Sequence, residues 1–196
     1  MIQLSEQKIS KRKQQILKVA EALFKNKGFA ASSMRDLAKA VGVEAASLYS
    51  HIQSKQEILQ HICFNVANSF FTAQQNLNDH KISPSEKLKL AIANHVDVVL
   101  ADKDAFLVYL NEWKFIEEPQ LSEFKELLKT YEGIFIAIIE EGTGQWNFKH
   151  IDEQFVCTTL LSALNWIPNW YKSDGKWSKA EIVEKISNLF LLGIKQ

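Results

Sequence analysis

Apolar residues recur along nearly the whole chain at the three- and four-residue spacing that is typical of amphipathic helices. Gly28 and Gly142 stand where helices would end, and Ser33, Ser54 and Pro84 where helices would begin. This pattern predicts nine helices and no sheet, so the expected fold class is all-α. After a first helix that ends at Gly28, the predicted helices cover 33–41, 44–51, 54–78, a segment beginning at Pro84, 104–116, 119–142, 151–172 and 178–194.

Two short helices separated by a glycine stand out at residues 33–51. Gly42 supplies the backbone freedom that a tight turn between them needs. Such a pair forms a helix-turn-helix, whose second helix enters the major groove of DNA. The alternative is an ordinary helical hairpin without a DNA-binding role. The residues spaced to close a small core between the two helices are Leu37, Ala38, Val41, Val43 and Leu48.

The geometry of this motif predicts which side chains would face DNA. The alanines of the second helix can touch thymine methyl groups, and its hydroxyl and imidazole groups can bind phosphates. Lys55, in the first turn of the next helix, would meet the DNA backbone. Glu44 either accepts a hydrogen bond from cytosine or interacts with the helix dipole. The predicted DNA-binding residues are Ser33, Arg35, Glu44, Ala45, Ala46, Ser47, Tyr49, Ser50, His51 and Lys55.

The formal net charge is zero, but the charges are unevenly distributed along the chain. The first 60 residues contain ten Lys and Arg against five acids, a net charge of +5. The remaining residues contain 13 basic side chains against 18 acids, a net charge of −5. A basic N-terminal head can neutralise DNA phosphates, and this supports the helix-turn-helix interpretation.

The same segment resembles the DNA-binding domain of TetR-family regulators. The chain departs from that family at 44–47, where Glu-Ala-Ala-Ser replaces a common Ser-Lys-Gly-Thr, and at Ile52, which replaces an aromatic residue. The resemblance implies a homodimer that binds a palindromic operator, with a DNA-binding domain at 1–53 and a ligand-binding and dimerisation domain at 54–196. The matching residues are Ser33, Leu37, Ala38, Val41, Gly42, Val43, Leu48, Tyr49, His51, Lys55 and Leu59.

One C-terminal helix, predicted at 151–172, contains Pro168, which removes a backbone donor and predicts a kink. Asn165 and Asn169 lie four residues apart in an otherwise apolar stretch. They either satisfy each other and the kinked backbone, or bind the polar end of a ligand. Many large aromatic residues surround this region; they either fill a helical core or enclose an apolar ligand.

The predicted ligand-binding and dimerisation domain at 54–196 resembles the FadR-type branch of the TetR family, which responds to acyl-CoA. The similar stretches begin at Asn111, Tyr131, Ala163 and Gly175. This resemblance implies an apolar effector, an acyl-CoA or a free fatty acid, that releases the protein from DNA. Few cations are available for the phosphates of an acyl-CoA, with Lys103, Lys114 and Lys149 as candidates. The predicted ligand-binding residues are Val99, Phe106, Leu110, Trp113, Phe135, Ile138, Asn165, Trp166 and Asn169.

Apolar stripes on the last two predicted helices indicate dimerisation through a two-fold four-helix interface. The predicted dimer residues are Leu160, Leu164, Ile182, Ile186, Leu189 and Phe190. The predicted function is a ligand-responsive repressor. The alternatives are a TetR-like regulator of another small hydrophobic effector, or a ligand-insensitive DNA-binding adaptor without a cavity.

Several other classes of protein are not expected from this sequence. No apolar run approaches the length of about 18 residues that a membrane span needs, and the N-terminus has no secretory signal, so a cytoplasmic location is expected. Cys63 and Cys157 fit buried thiols rather than a disulfide. Without a Gly-rich phosphate loop, H-E-x-x-H, Cys-x-x-Cys or Ser elbow, neither an enzyme nor a metal or cofactor site is predicted.

Overall fold

A computed structural model describes residues 10–78, 82–145 and 147–194. Within these ranges the chain is all-helical, as predicted, and two short 3-10 turns follow α4 and α6. The α-helices are α1 Lys11–Lys27, α2 Met34–Val41, α3 Ala45–Tyr49, α4 Lys55–Gln74, α5 Pro84–Ala101, α6 Lys103–Glu112, α7 Gln120–Gly144, α8 Glu153–Asn165, α9 Ile167–Trp170 and α10 Lys179–Ile194. No helix in these ranges is both long and apolar enough to cross a membrane.

Two of the predicted helices are shorter in the structure. α3 ends at Tyr49 instead of reaching residue 51. The helix predicted at 151–172 is divided, because α8 ends at Asn165 and α9 begins at Ile167. Pro168 lies at the first turn of α9, where its missing amide donor leaves no intrahelical bond unmade. The predicted kink is therefore a helix end followed by a new helix start.

The chain forms two compact units. The first contains the described residues up to Phe64 together with Asp104–Leu121, and the second contains Asn65–Lys103 and the described residues from Ser122 onward. The sequence did not predict that most of α6 groups with the N-terminal helices. The functional boundary predicted between residues 53 and 54 remains a prediction.

The first unit is held together by apolar packing and by contacts between α6 and the N-terminal helices. The Asp104 carboxylate accepts from the Lys25 ammonium at 2.8 Å, and the Glu112 carboxylate accepts from the backbone N–H of Phe29 at 2.9 Å. The rings of Phe29 and Phe115 stack with centroids 5.9 Å apart. The fully or almost fully buried side chains include Ile16, Ala20, Phe24, Leu37, Leu48, Ile52, Ile58, Leu59 and Phe106.

The second unit is arranged around α5, which packs against α8, α9 and α10. α5 begins with a capping box formed by Ser83 and Glu86, followed by Pro84 at the first helical position. A Cβ atom on Gly142 would collide with the buried ring of Phe148, so glycine is required at that position by close packing. The buried apolar residues of this unit include Leu88, Ala91, Ile92, Val96, Val99, Phe124, Phe135, Leu160 and Leu164.

Candidate nucleic-acid interface

The start of α2 is fixed by a complete capping box. The Ser33 hydroxyl oxygen accepts from the Asp36 backbone N–H at 3.1 Å, and the Asp36 carboxylate accepts from the Ser33 N–H at 2.9 Å. The Lys27 ammonium donates to the same carboxylate at 2.7 Å. The Lys27 hydrogen bond, with those from Ser33, lowers the pKa of Asp36 to about 2. Ser33 thus defines where the helix begins, and its contact with DNA remains a prediction.

Gly42 makes the turn between α2 and α3 in the left-handed region, with φ 75° and ψ 38°. Its N–H donates back to the carbonyls of Ala38 and Lys39, and the Val43 N–H donates to Ala38 at 3.0 Å. A residue with a Cβ is strained in this conformation, so the turn requires glycine. Of the predicted small core, Leu37, Ala38 and Leu48 are buried, whereas Val41 and Val43 are half-buried.

α3 exposes nearly all of its polar side chains. Leu48 is fully buried, whereas Tyr49 is 52% exposed. The Ser50 hydroxyl donates to the carbonyl of Ser47 at 2.7 Å. Glu44 occupies the N-cap position but makes no side-chain hydrogen bond to the helix, so both of its proposed roles stay open. The other predicted DNA-binding residues on the exposed surface of this unit are Arg35, Ala46 and His51, with Ala45 half-buried.

Lys55 has a structural role that the sequence did not predict. Its ammonium donates to the carbonyls of Phe29 at 2.8 Å and Ser32 at 2.7 Å, and lies 4.2 Å from the centroid of the Phe29 ring. It therefore fastens the turn that precedes α2. Two of its three donors are engaged in this way, and its contact with a DNA phosphate remains a prediction.

A second arrangement of polar side chains lies in the core of the second unit, and we call it the polar cluster. It consists of Gln74, Asn94, His95, Tyr131 and Asn165, which come from α4, α5, α7 and α8. His95 contacts the Tyr131 hydroxyl through Nδ1 at 3.0 Å and Asn165 Oδ1 through Nε2 at 3.2 Å. The amide of Gln74 donates to the Tyr131 oxygen at 3.2 Å, and the amide of Asn94 donates to Gln74 at 3.1 Å.

The partners of His95 determine which of its two ring nitrogens donates and which accepts. Because the amide oxygen of Asn165 can only accept, Nε2 of His95 carries the proton and Nδ1 accepts from the Tyr131 hydroxyl. Burial lowers the pKa of His95 to about 3, and the hydrogen bond with Asn165 partly opposes that shift. His95 is thus a neutral, fully buried group. The surrounding aromatic rings are those of Phe70, Phe71 and Phe135.

The predicted ligand-binding residues lie in different parts of the structure. Asn165 joins the polar cluster, while the amide of Asn169 donates to the carbonyl of Trp166 at 3.4 Å, so the two asparagines have different partners. Trp166 is 63% exposed and Asn169 is also exposed, so neither side chain lies in the core. Phe106, Leu110 and Trp113 belong to the first unit, and Val99, Phe135, Ile138 and Asn165 to the second.

The predicted dimer residues also divide into two sets. Leu160, Leu164 and Ile182 are buried within their own subunit, so they are core residues and unavailable to a partner. The apolar side chains around an open groove of about 410 Å³ are better placed for an interface. Phe155 and Leu189 are exposed there, Val156 and Phe190 are half-buried, and Leu192 is also exposed on α10. The predicted dimer residue Ile186 is half-buried.

Most of the polar cluster escaped the sequence interpretation. Asn165 is a predicted ligand-binding residue, but the sequence does not predict that Gln74, His95 and Tyr131 meet it. The available signal was the presence of a histidine on the apolar stripe of a helix that begins at Pro84.

Family sequence models match both parts of the chain. The model described as bacterial regulatory proteins of the tetR family matches residues 16–62, which include the helix-turn-helix. The model described as the tetracyclin repressor-like C-terminal domain matches residues 81–194. The second match alone covers more than half of the chain.

Curated relatives resemble the chain over nearly its whole length. The HTH-type transcriptional repressor KstR2 of Mycolicibacterium smegmatis is 24% identical over 187 residues, covering 94% of this chain and 91% of the relative. The fatty acid metabolism regulator protein of Bacillus subtilis is 22% identical over 182 residues, covering 92% of this chain and 94% of the relative.

Solved structures show the same fold. KstR2 of Mycobacterium tuberculosis, a ketosteroid transcriptional regulator, superimposes with a TM-score of 0.88 at 20% identity, covering 96% of this chain and 97% of that one. AibR in complex with isovaleryl coenzyme A and operator DNA superimposes with a TM-score of 0.80 at 22% identity, covering 91% and 97%. With both family models matched in order along it, the chain belongs to the TetR family of bacterial transcriptional regulators.

Proposed function

We propose that the protein is a repressor that binds a palindromic operator as a homodimer and is released by an apolar effector such as a fatty acyl-CoA. The observation on which the DNA-binding part rests is the helix-turn-helix. Its turn and cap fix α3 with Leu48 inward, which leaves Tyr49 and the neighbouring polar side chains exposed. A helix that presents such a face fits the major groove.

The absence of Arg and Asn from α3 limits direct base recognition. We expect Ala45 and Ala46 to contact thymine methyl groups, and we expect DNA shape to contribute much of the specificity. Arg35 and His51 are exposed and can bind phosphates. Phosphate contacts position the protein without reading sequence, so affinity should fall steeply with salt.

The polar cluster supports the effector part of the proposal. A few convergent polar groups inside an aromatic, apolar core are typical of sites for small apolar molecules. Asn165 is half-buried and lies at the end of the polar cluster nearest the break between α8 and α9. A carbonyl group of an effector could replace one hydrogen-bonding partner there. The isovaleryl-CoA complex of AibR provides a family precedent for an acyl-CoA effector.

Dimerisation is proposed through the exposed apolar face of α8 and α10. Phe155 is 69% exposed, Leu189 71% and Leu192 77%, which is unusual for large apolar side chains in one region of a subunit. A two-fold pairing of these helices would cover them and place two α3 helices on one palindrome. An effector that favours one arrangement of the dimer by about 1–3 kcal/mol would weaken operator binding roughly 5- to 150-fold.

There are two alternative functions, a regulator that responds to a different effector and an adaptor that responds to none. The description of KstR2 as a ketosteroid regulator favours a polycyclic apolar effector as the second candidate. The third candidate is a ligand-insensitive adaptor, which is favoured by the complete burial of Val99 and Phe135 in a packed core.

A titration distinguishes these functions. An operator is selected from a random DNA pool with the purified protein, and its affinity is measured with palmitoyl-CoA, palmitate, a ketosteroid or no addition. The proposal expects palmitoyl-CoA to weaken operator binding at least fivefold. Release by the ketosteroid alone would favour the second candidate, and unchanged affinity with every compound would favour the adaptor. Mass spectrometry of ligand retained by the purified protein provides an independent identification.

A further inference from the structure

The segment between α9 and α10 forms a bowl of about 220 Å³ on the second unit, and we call it the aromatic bowl. Its walls are Trp170, Tyr171, Lys172, Lys176 and Trp177, and Ile182 of α10 also lines it. The bowl is smaller than the 300–1,000 Å³ that is usual for a site enclosing a complete ligand. It therefore fits one end of a larger molecule.

Two tryptophans in this bowl are held partly open to solvent. Trp170 is 42% exposed and Trp177 is 38% exposed, although tryptophan is buried on average to a high degree. Their rings meet edge to face, with centroids 6.4 Å apart and planes at 88°. This contact fixes the two rings relative to each other while leaving ring surface accessible. Such surfaces are suited to stacking against a planar aromatic group.

Cationic groups accompany these rings. The Lys176 ammonium lies 5.0 Å from the centroid of Trp177. The Lys103 ammonium donates to the Tyr171 carbonyl at 2.9 Å and lies 4.8 Å from that ring, and Lys172 is exposed beside it in sequence. The local cations therefore stand out in a body whose overall charge is negative.

The acids of the same region are partly engaged elsewhere. The Glu181 carboxylate accepts from the N–H and the hydroxyl of Ser178, both at 2.8 Å. Asp97 is paired with Lys179 at 2.8 Å. Asp174 lies within the segment and Asp102 precedes Lys103. Glu181 keeps its negative charge, because Ser178 is neutral, but the charged residues that line the bowl itself are Lys172 and Lys176. The wall of the bowl therefore favours an anion.

We propose that the aromatic bowl binds the phosphorylated purine end of a coenzyme A thioester. The purine would stack on Trp177 or Trp170, and the phosphates would pair with Lys172 and Lys176. This inference rests on the proposed function and specifies which part of the effector the protein recognises. Lys172 and Lys176 would supply cations for the phosphates in addition to the candidates Lys103, Lys114 and Lys149.

The aromatic bowl and the polar cluster lie along the same stretch of the second unit. His95 and Val99 lie one turn apart on α5, a rise of about 6 Å, and Lys103 begins α6 directly after α5 ends at Ala101. On the other side, Asn165 is separated from Trp170 only by the short α9, which packs on α5. Because the five residues from Asn165 to Trp170 span at most about 18 Å, the extended arm that joins the thioester to the phosphates of coenzyme A can reach from the polar cluster to the bowl.

Calorimetry of the full-length protein with coenzyme A and with adenosine 3′,5′-bisphosphate tests the bowl directly. Trp177→Ala and the double variant Lys172→Ala/Lys176→Ala should each weaken binding about tenfold. Trp177→Phe should restore most of it, because a ring that stacks is retained. Lys129→Ala, which removes an exposed lysine from α7, is the matched control and should bind like the wild type.

Operator release separates this inference from the proposed function. The bowl variants should need about ten times more palmitoyl-CoA than wild type, with no change in their response to palmitate. Equal responses of variants and wild type to palmitoyl-CoA, or no binding of coenzyme A by calorimetry, would overturn the bowl and leave the proposed function intact. Coenzyme A binding that depends on Trp177, with no effect of any acyl compound on DNA, would support the bowl and overturn the proposed function.

Discussion

The helix-turn-helix and the polar cluster position their polar groups by different means. In the first, the capping and turn contacts join residues close in sequence, such as Ser33 with Asp36 or Val43 with Ala38, and Lys55 adds a contact from farther along the chain. In the second, Gln74, His95, Tyr131 and Asn165 come from four helices and span 91 positions of the chain. The first leaves its polar side chains in solvent, and the second removes them from it. A change of the same chemical kind should therefore affect DNA affinity in one region and stability in the other.

The largest effect is expected where the local motif depends on a single packed side chain. Leu48 is the buried residue of the five-residue helix α3, so Leu48→Ala should lower the free energy of unfolding by about 2–5 kcal/mol and abolish operator binding. Urea denaturation followed by circular dichroism measures the first effect. Ala46→Ser on the exposed face is the control, and it should stay within about 0.5 kcal/mol. A loss below about 1 kcal/mol for Leu48→Ala would contradict this dependence.

Removing one hydroxyl from each region compares them directly. Tyr131→Phe leaves Nδ1 of His95 without its buried donor, so it should lower the free energy of unfolding by about 1–3 kcal/mol. Tyr49→Phe removes an exposed hydroxyl, so it should leave stability unchanged and weaken operator binding about tenfold through a lost phosphate contact. Denaturation and DNA titration of both variants test the pair. Equal stability losses would remove the distinction between the regions.

Acid should act on the body through His95. The pKa of His95 is about 3 in the folded protein and near 6.5 in the unfolded protein. Between these two values the imidazole is protonated in the unfolded state and neutral in the folded state, so acid favours unfolding. The free energy of unfolding should then fall by up to about 1.4 kcal/mol per pH unit between pH 6.5 and about 3. Urea denaturation at pH 7, 6 and 5 measures this slope.

His95→Gln should remove this contribution to the pH dependence, and His51→Gln, which removes an exposed histidine of the first unit, is the matched control. If the free energy of unfolding of the His95 variant depends on pH as steeply as that of the wild type, the effect comes from other groups.

The smallest effect concerns two glycines, and its sign should differ between the regions. Gly42 has φ 75°, so Gly42→Ala should lower the free energy of unfolding by about 1 kcal/mol. Gly133 lies within α7 with nothing near the position of a new Cβ, so Gly133→Ala should raise stability by about 0.5–1 kcal/mol. Thermal unfolding of the two variants checks both signs. Stabilisation by Gly42→Ala would show that the turn does not need its left-handed residue.

Local chemistry explains why much of the fold could be predicted. Caps at Ser33 and Ser54, the turn at Gly42 and the stripe on α1 involve residues within one or two helical turns, so they are visible in the sequence. The same reasoning did not reveal the structural role of Lys55, because its carbonyl partners at Phe29 and Ser32 lie 23 or more residues away. It also failed at Leu160, Leu164 and Ile182, because an apolar stripe does not reveal whether its own subunit or a partner covers it.

The sequence by itself determined the helices, the helix-turn-helix and its outward residues, since these follow from hydrophobic spacing and from capping and turn chemistry over a few residues. Only the tertiary structure decided that α6 joins the first unit and that the polar cluster forms. It also decided that tryptophans and lysines converge around the aromatic bowl. These features arise where residues distant along the chain meet, and their pairing is selected by the packing of the whole unit rather than by any local preference.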